Sequence, residues 1–257
     1  MKKELPSLRK LRSLFINHET LLVPPQNTLS GSRRIHSCGD AVVITIITVM
    51  LTVGALGLKN LSKASGVSAG LPVAEAVFAE ARAVAIGKGG STRILINADV
   101  NDHERYLRYM LVVYYYDDGS GSGKWIANSR GSFLPEGVYF SQEFSRENHE
   151  VSGAGIDKIP AADEDIYGGV DQTSANTNLS GPYFYYEFNG EGNVSTPGAS
   201  FVIGVGSKPK GADNPKVSGG NVKNFGGLII WRKGTTSVFR HPDQMDIPSG
   251  IKAGDKF

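Results

Sequence analysis

Hydrophobic and polar positions follow different rules in successive parts of this chain. Residues 41–58, AVVITIITVMLTVGALGL, run for 18 positions without a charge before Lys59 and Lys63. As an α-helix this run extends about 27 Å at 1.5 Å per residue, against a hydrocarbon core about 30 Å thick. Its polar side chains are Thr45, Thr48 and Thr52, and threonine is tolerated in lipid because its hydroxyl can bond back to the helix backbone. A core helix shows a polar face, and a cleaved secretory signal has a shorter apolar stretch. The small residues of KNLSKASGVSAG (59–70) keep a cleaved signal open beside a membrane anchor. Thr45, Thr48, Thr52 and Ala55 form a stripe of small side chains, the kind of surface on which membrane helices pack.

From Pro72 the pattern changes to helical spacing. PVAEAVFAEARAVAIGKGG (72–90) places Val73, Val77, Ala81, Val84 and Ala85 on one apolar face. Pro72 suits a first helical position and Gly87 a C-terminal cap. The face is narrow and built of small residues, suited to lying on a sheet.

From residue 91 the spacing shortens to that of strands. TRILINAD (92–99), RYLRYMLVVYYY (105–116), KWIANSR (124–130), GVYFSQEF (137–144), PYFYYEFNGEG (182–192) and ASFVIGVG (199–206) are rich in β formers. DDGSGSGK (117–124) predicts a loose hairpin turn, and GGLIIWRKGTTSVFRHP (226–242) a closing hairpin around Lys233 and Gly234. Polar segments 145–181 and 207–224 are expected as flexible loops, the first an excursion from the sheet. The fold class predicted is α+β: a long N-terminal membrane-spanning helix, then a helix covering one face of an antiparallel sheet of about seven strands.

Charge sharpens this division. Of the 257 residues, 1–39 hold seven basic side chains and two acidic ones, although the whole chain carries only +2. The excess on the N-terminal side of the apolar run places that side in the cytoplasm. Three parts follow: a basic cytoplasmic leader at 1–39, a transmembrane anchor at 40–63, and an extracytoplasmic α+β domain at 64–257. A basic head on a slightly acidic body argues against a nucleic-acid partner, which needs a basic patch on the folded domain. Cys38 is the one cysteine, so neither an intrachain disulfide nor a multi-cysteine metal site can form.

Bond-making chemistry has few candidates. A phosphate loop needs Gly at 118 and Ser or Thr at 125, where Asp118 and Trp125 stand. No G-x-S-x-G elbow occurs. His18, His36, His103, His149 and His241 are scattered, with no H-E-x-x-H pair. The acidic runs Asp99, Asn101, Asp102, Glu104 and Asp163, Glu164, Asp165 offer calcium-type oxygens, but without EF-hand spacing they are expected as solvated loops. No cofactor and no metal are expected. The aromatic runs Tyr114–Tyr116 and Tyr183–Tyr186 supply both faces of a strand, since neighbours point opposite ways.

The order of parts resembles the type IV pilin-like superfamily, and within it the H-type minor pseudopilins of type II secretion and related fimbrial pilins. Gly39 stands ahead of the apolar run. AEAVFAEARAVAIGKGG (74–90), with its Ala81-Arg82 pair, is similar to the family's helix. FNGEG (188–192), FVIGVG (201–206) and LIIWRKGTTSVFR (228–240) resemble its last strands. The resemblance covers roughly 38–240. It implies a prepilin peptidase cutting between Gly39 and Asp40, and membrane lipids around the anchor. It implies other pilin-like subunits packed through the N-terminal helix at Thr45, Thr48, Thr52 and Ala55. The protein is then a non-catalytic filament subunit of the bacterial inner membrane, crossing once, with its C-terminal domain in the periplasm. Where the family has Phe after the cut and Glu four residues later, this chain has Asp40 and Ile44. The missing carboxylate removes the usual pairing with a neighbour's amine and fits a minor or tip subunit better than a major one. A monomeric single-pass binding module that the peptidase leaves intact is the alternative, and a hydrolase with an unrecognised site is the third.

Overall fold

The structure is a computed structural model. It describes residues 44–48, 66–117, 119, 123–149, 154–160, 165–217, 224–241, 244 and 257. The leader 1–39, most of the anchor 40–63, and the sites Gly39, Asp40, Thr52 and Ala55 lie outside the described residues. Contacts divide the chain into two units, Met1–Leu51 and Thr52–Phe257. In the first, residues 44–48 are helical and exposed. Thr48 Oγ1 donates to the Ile44 carbonyl at 2.8 Å, the back-bond that makes threonine acceptable in an apolar helix. Among the described residues no helix is long and apolar enough to cross a membrane.

The second unit is α+β. Among the described residues, helix α1 (Gly66–Lys88) precedes eleven strands: β1 Thr92–Asn97, β2 Tyr109–Tyr116, β3 Lys124–Ala127, β4 Ser132–Phe133, β5 Val138–Phe140, β6 Lys158–Ile159, β7 Ile166–Tyr167, β8 Tyr183–Phe188, β9 Ala199–Val205, β10 Phe225–Ile230 and β11 Thr236–Phe239. They form two sheets where the strand pattern predicted one. Sheet 1 has seven strands in the order β6-β8-β1-β2-β3-β7, with β4 also on β2; sheet 2 has four, β11-β10-β9-β5. Pairing is antiparallel throughout except β3 with β7. Both predicted hairpins form, β2–β3 with Tyr116 opposite Lys124 and β10–β11 with Ile230 opposite Thr236.

Helix α1 starts six residues before the predicted Pro72, which stands exposed inside it. Its ring removes the bond to the Ser68 carbonyl. Burial of Val67, Gly70 and Leu71 in the core outweighs that local cost. The cap is also later than predicted. Gly89, at φ +65°, donates to the Ala85 carbonyl at 2.9 Å, the left-handed C-terminal cap that a residue without Cβ adopts freely.

The face α1 buries is Val67, Leu71, Ala74, Val77, Phe78, Ala81 and Ala85, rotated from the predicted one toward Phe78. The Phe78 ring meets Tyr186 at 5.2 Å and Phe188 at 6.4 Å on sheet 1, and Phe201 at 5.4 Å on sheet 2, all edge-on. Such edge-to-face contacts add about 0.5–1.5 kcal/mol per pair beyond area burial. Tyr186 Oη donates across the joint to the Ser200 carbonyl at 2.7 Å. Toward its start the helix approaches sheet 2 through missing side chains. A Cβ on Gly70 would lie 2.8 Å from Ile203 Cδ1, and one on Gly226 would lie 2.8 Å from Val67 Cγ1.

Residues 154–160 and 165–181 are more than a loop. Strands β6 and β7 form the two edges of sheet 1. Ile159 and Ile166 cover the face away from α1, over Leu95, Leu111 and Val113. That cover explains why β1 and β2 are apolar on both faces. The segment predicted as a strand from Arg105 begins only at Tyr109, because Leu107 takes φ +55°. Leu107 donates to the Asn97 carbonyl at 2.9 Å and accepts from Phe140 N–H at 2.7 Å, tying the β1–β2 turn to β5.

Replacing Phe78 by Ala is expected to cost about 3–5 kcal/mol, read as a fall in the urea midpoint; a midpoint shift no larger than that of the exposed Ala83→Ser would contradict the central role given to the ring. Alkali provides a second check. Burial pushes Tyr183 up to about 12 and raises Tyr106 and Tyr186 as well. The unfolded phenols ionise near 10, so the folded state holds protons that the unfolded chain loses. Stability is then full below about pH 10 and falls as pH climbs toward 12. Melting temperatures across that range, followed with tyrosinate absorbance, should show loss of structure together with ionisation.

Candidate functional site

Passages far apart in sequence converge at the C-terminal end of α1. Arg82, partner of Ala81 in the Ala-Arg pair, lies beneath two tight turns, one after β8 and one between β10 and β11. A Cβ on Gly192 would stand 3.2 Å from Arg82 Cγ and 2.8 Å from Ile86, and one on Gly234 would stand 2.9 Å from Arg82 Cδ. Both glycines have positive φ, +75° and +71°, so the turns need them for backbone reasons too. The turns are closed by Gly192 N–H to the Asn189 carbonyl and Gly234 N–H to the Trp231 carbonyl, at 2.8 and 2.7 Å. Arg82 Nε is buried and has no hydrogen-bond partner among the described residues.

Beside Arg82 runs a groove of about 430 Å³ between α1 and the β10–β11 turn, lined by Glu75, Ala79, Ala83, Ile86 and Thr235 among others. It opens onto the side of α1 that the sheets leave bare. Ala69, Pro72, Ala76, Ala79, Ala83 and Ile86 are exposed there, at alternating spacings of three and four residues. Ile86 is 51% exposed. The surface is apolar and small, with one carboxylate and one guanidinium at the groove. It suits contact with another polypeptide better than capture of a compact charged ligand.

A second, polar pocket of about 280 Å³ lies on the outer side of β8, lined by Glu147, Asp157, Tyr185, Glu187, Ser195 and Thr196 with Ile156. Its rim is ordered by Arg93. That guanidinium donates to Glu187 Oε2 at 2.6 Å and lies 4.2 Å from the Trp125 ring centre and 4.7 Å from that of Tyr185. Tyr185 Oη donates to Asp157 Oδ2 at 3.3 Å, and partial burial, with the Asp157 charge beside it, raises the phenol above its usual range. Neither the groove nor the pocket is lined by a histidine or a cysteine.

Other predicted candidates have local roles. Asp99 Oδ1 accepts from Asn101 N–H at 2.9 Å, and Asp102 Oδ1 from Arg105 N–H at 3.0 Å, so both carboxylates close turns. Lys208 brings its ammonium onto the Val100 carbonyl at 2.6 Å and over the Tyr106 ring at 4.1 Å. Burial lowers the Lys208 ammonium from its ordinary value, against the raising effect of Asp213, Asp99 and Asp102. Among the described residues no group of three His, Cys, Asp or Glu side chains is arranged to hold a metal ion; Asp163 and Glu164 lie outside them. His149 rests against the Phe239 ring at 6.2 Å. Thr45 and Thr48 fall in the helical stretch 44–48. Both faces of β2 are buried from Tyr109 to Tyr114, and Tyr115 and Tyr116 are exposed at its end.

The sequence named Arg82 and the tail glycines but not their meeting, nor the bare side of α1. The alternating small residues at 69–86 were the available signal, hidden because Ala belongs equally to a buried and an uncovered helix face.

No protein-family profile matches the chain, and no curated protein matches it. Among the solved structures that align with it are two of the minor pseudopilin EpsH from the type II secretion system of Vibrio cholerae. One shares 15% identity over 70% of this chain and 96% of that one, with a TM-score of 0.34. The other shares 13% identity over 63% and 88%, with a TM-score of 0.30.

Proposed function

We propose that this protein is a membrane-anchored, pilin-like subunit of the minor pseudopilin kind, which joins other such subunits in a filament of a type II secretion or type IV pilus-like machine. One observation carries the reading: α1 buries one side against both sheets and leaves the other side as an uncovered ladder of small residues, while the chain upstream holds an uncharged 18-residue run behind a basic leader. A subunit of this form leaves the bilayer only if neighbouring helices replace the lipid around it, and small side chains allow that close approach. Exposed Ile44, Ile46 and Ile47 on the helical stretch 44–48 are consistent with a surface covered from outside the chain.

On this proposal residues 1–39 are the cytoplasmic leader and 40–63 the inner-membrane anchor. The domain 64–257 lies in the periplasm, and the prepilin peptidase cuts between Gly39 and Asp40. The subunit performs no bond-making chemistry; its work is assembly. Asp40 and Ile44 in place of the family's Phe and Glu favour a minor or tip position.

Coexpression with the prepilin peptidase should yield a mature chain beginning at Asp40 by mass spectrometry, and expression without it a chain that keeps the leader. The leader retained in both arms contradicts processing and supports a fixed, monomeric anchor. In a Cys38→Ser background, Thr48→Cys and Ala55→Cys should give disulfide-linked adducts in native membranes; monomer alone under oxidation speaks against helix packing.

A further inference from the structure

Strand β9 turns alternate side chains to the two faces of sheet 2. Phe201 meets Phe78 of α1, and Ile203 and Val205 crowd Gly70 and Gly66 on the same helix. Gly204 therefore belongs to the opposite face. Its register partners are Tyr139 on β5 and Phe225 on β10. Directly opposed residues share a face, so this row reads aromatic, vacancy, aromatic.

The vacancy is filled by Phe257. Its ring centre lies 5.6 Å from that of Phe225 and 5.8 Å from that of Tyr139, and the residue is 1% exposed. A Cβ on Gly204 would meet the Phe225 ring first, and then Phe257 Cε1 at 2.6 Å. One on Gly206 would drive into the Phe257 ring and stand 2.8 Å from the Lys216 carbonyl. Gly204 and Gly206 both have ordinary φ, so backbone conformation does not require glycine at either place; room for the Phe225 and Phe257 rings at Gly204, and for the Phe257 ring at Gly206, does. An aromatic side chain laid over a strand glycine covers backbone that its neighbours cannot reach. Phe257 makes no backbone hydrogen bond to any described residue, so the ring itself seats the contact. Phe144 completes the wall, edge-on to Phe225 at 5.4 Å, and the Arg108 guanidinium lies 6.0 Å from the Tyr139 ring centre.

We propose that Gly204, Gly206, Tyr139 and Phe225 form a binding slot for an aromatic side chain, occupied in this structure by the chain's own Phe257. The ligand class is a peptide bearing a phenyl ring, and the committed occupant is Phe257 itself. Removing the ring empties the slot, and the same peptide supplied from outside refills it.

The test uses the full-length chain with Phe257→Ala. Its melting temperature should fall by about 6–20 °C, the range for losing a buried Phe in a domain of this size. An acetylated peptide of residues 252–257, KAGDKF, should bind saturably and recover most of that loss. The wild-type protein should bind it at least about tenfold more weakly, because only the fraction with an empty slot is competent. The same peptide ending in Ala should do neither. An unchanged melting temperature, or equal effects of the Phe-ended and Ala-ended peptides, overturns the proposal. If Phe257→Ala does not fold, Phe257→Trp in a background with Trp125→Phe and Trp231→Phe serves: its emission should be blue-shifted and shielded from acrylamide, and adding Gly206→Val, whose side chain would enter the space of that ring, should shift it red and expose it. Emission indifferent to the valine places the ring elsewhere and overturns the slot.

Discussion

The architecture turns on one side chain at the joint of two sheets. Phe78 points from α1 into the angle where β8 of sheet 1 and β9 of sheet 2 come together, and it touches aromatic rings on both. A helix resting on a single sheet needs only an apolar stripe. A helix that closes a wedge between two needs a large rigid group at the apex and small ones along the flanks. Ala74, Ala81 and Ala85, each at 0% exposure, provide those flanks, and Gly66 and Gly70 take the helix closer still to sheet 2. The Tyr186–Ser200 hydrogen bond satisfies the polar group that so much burial would otherwise leave costly.

That wedge decides which surfaces remain available. Sheet 1 is covered on one side by α1 and on the other by side chains that include Ile159 and Ile166, so its central strands present little to a partner. Sheet 2 has its outer face closed near Gly204 by Phe257. Among the described residues, the far side of α1, the groove under the β10–β11 turn and the polar pocket beside β8 stay open. An assembly role and a binding role place their contacts on different members of this set: assembly on the helix, capture of a polar ligand on the pocket. The proposed function takes the helix, because an alternating ladder of small apolar residues in water is the feature a monomer has least reason to keep.

Much of the strand sequence was legible before any coordinates. β1, β2, β3, β5, β8 and β9 fall where β-branched and aromatic runs placed them, and the closing hairpin forms around Lys233-Gly234 as its turn chemistry required. The departures share a cause. Leu107 and Pro72 each adopt a conformation that local preference argues against, because distant backbone partners at the first and burial of Val67, Gly70 and Leu71 beside the second outweigh local costs of about 1–3 kcal/mol. The polar segment 145–181 hid two short edge strands, since two-residue strands carry no period to detect.

The amino-acid order by itself determined the divisions of the molecule: an uncharged run flanked by basic residues, a helix of 3.6-residue spacing, and strands separated by Gly- and Asp-rich turns. Those are properties of adjacent residues, and the physics behind them is local. Only the tertiary structure decided that the strands split into two sheets, that Phe78 and not the valines sits at their joint, that Arg82 meets Gly192 and Gly234, and that Phe257 fills the gap over Gly204. Each is a contact between residues far apart in sequence, set by which side chains fit once the chain has closed on itself, and no periodicity along one segment encodes the shape of another.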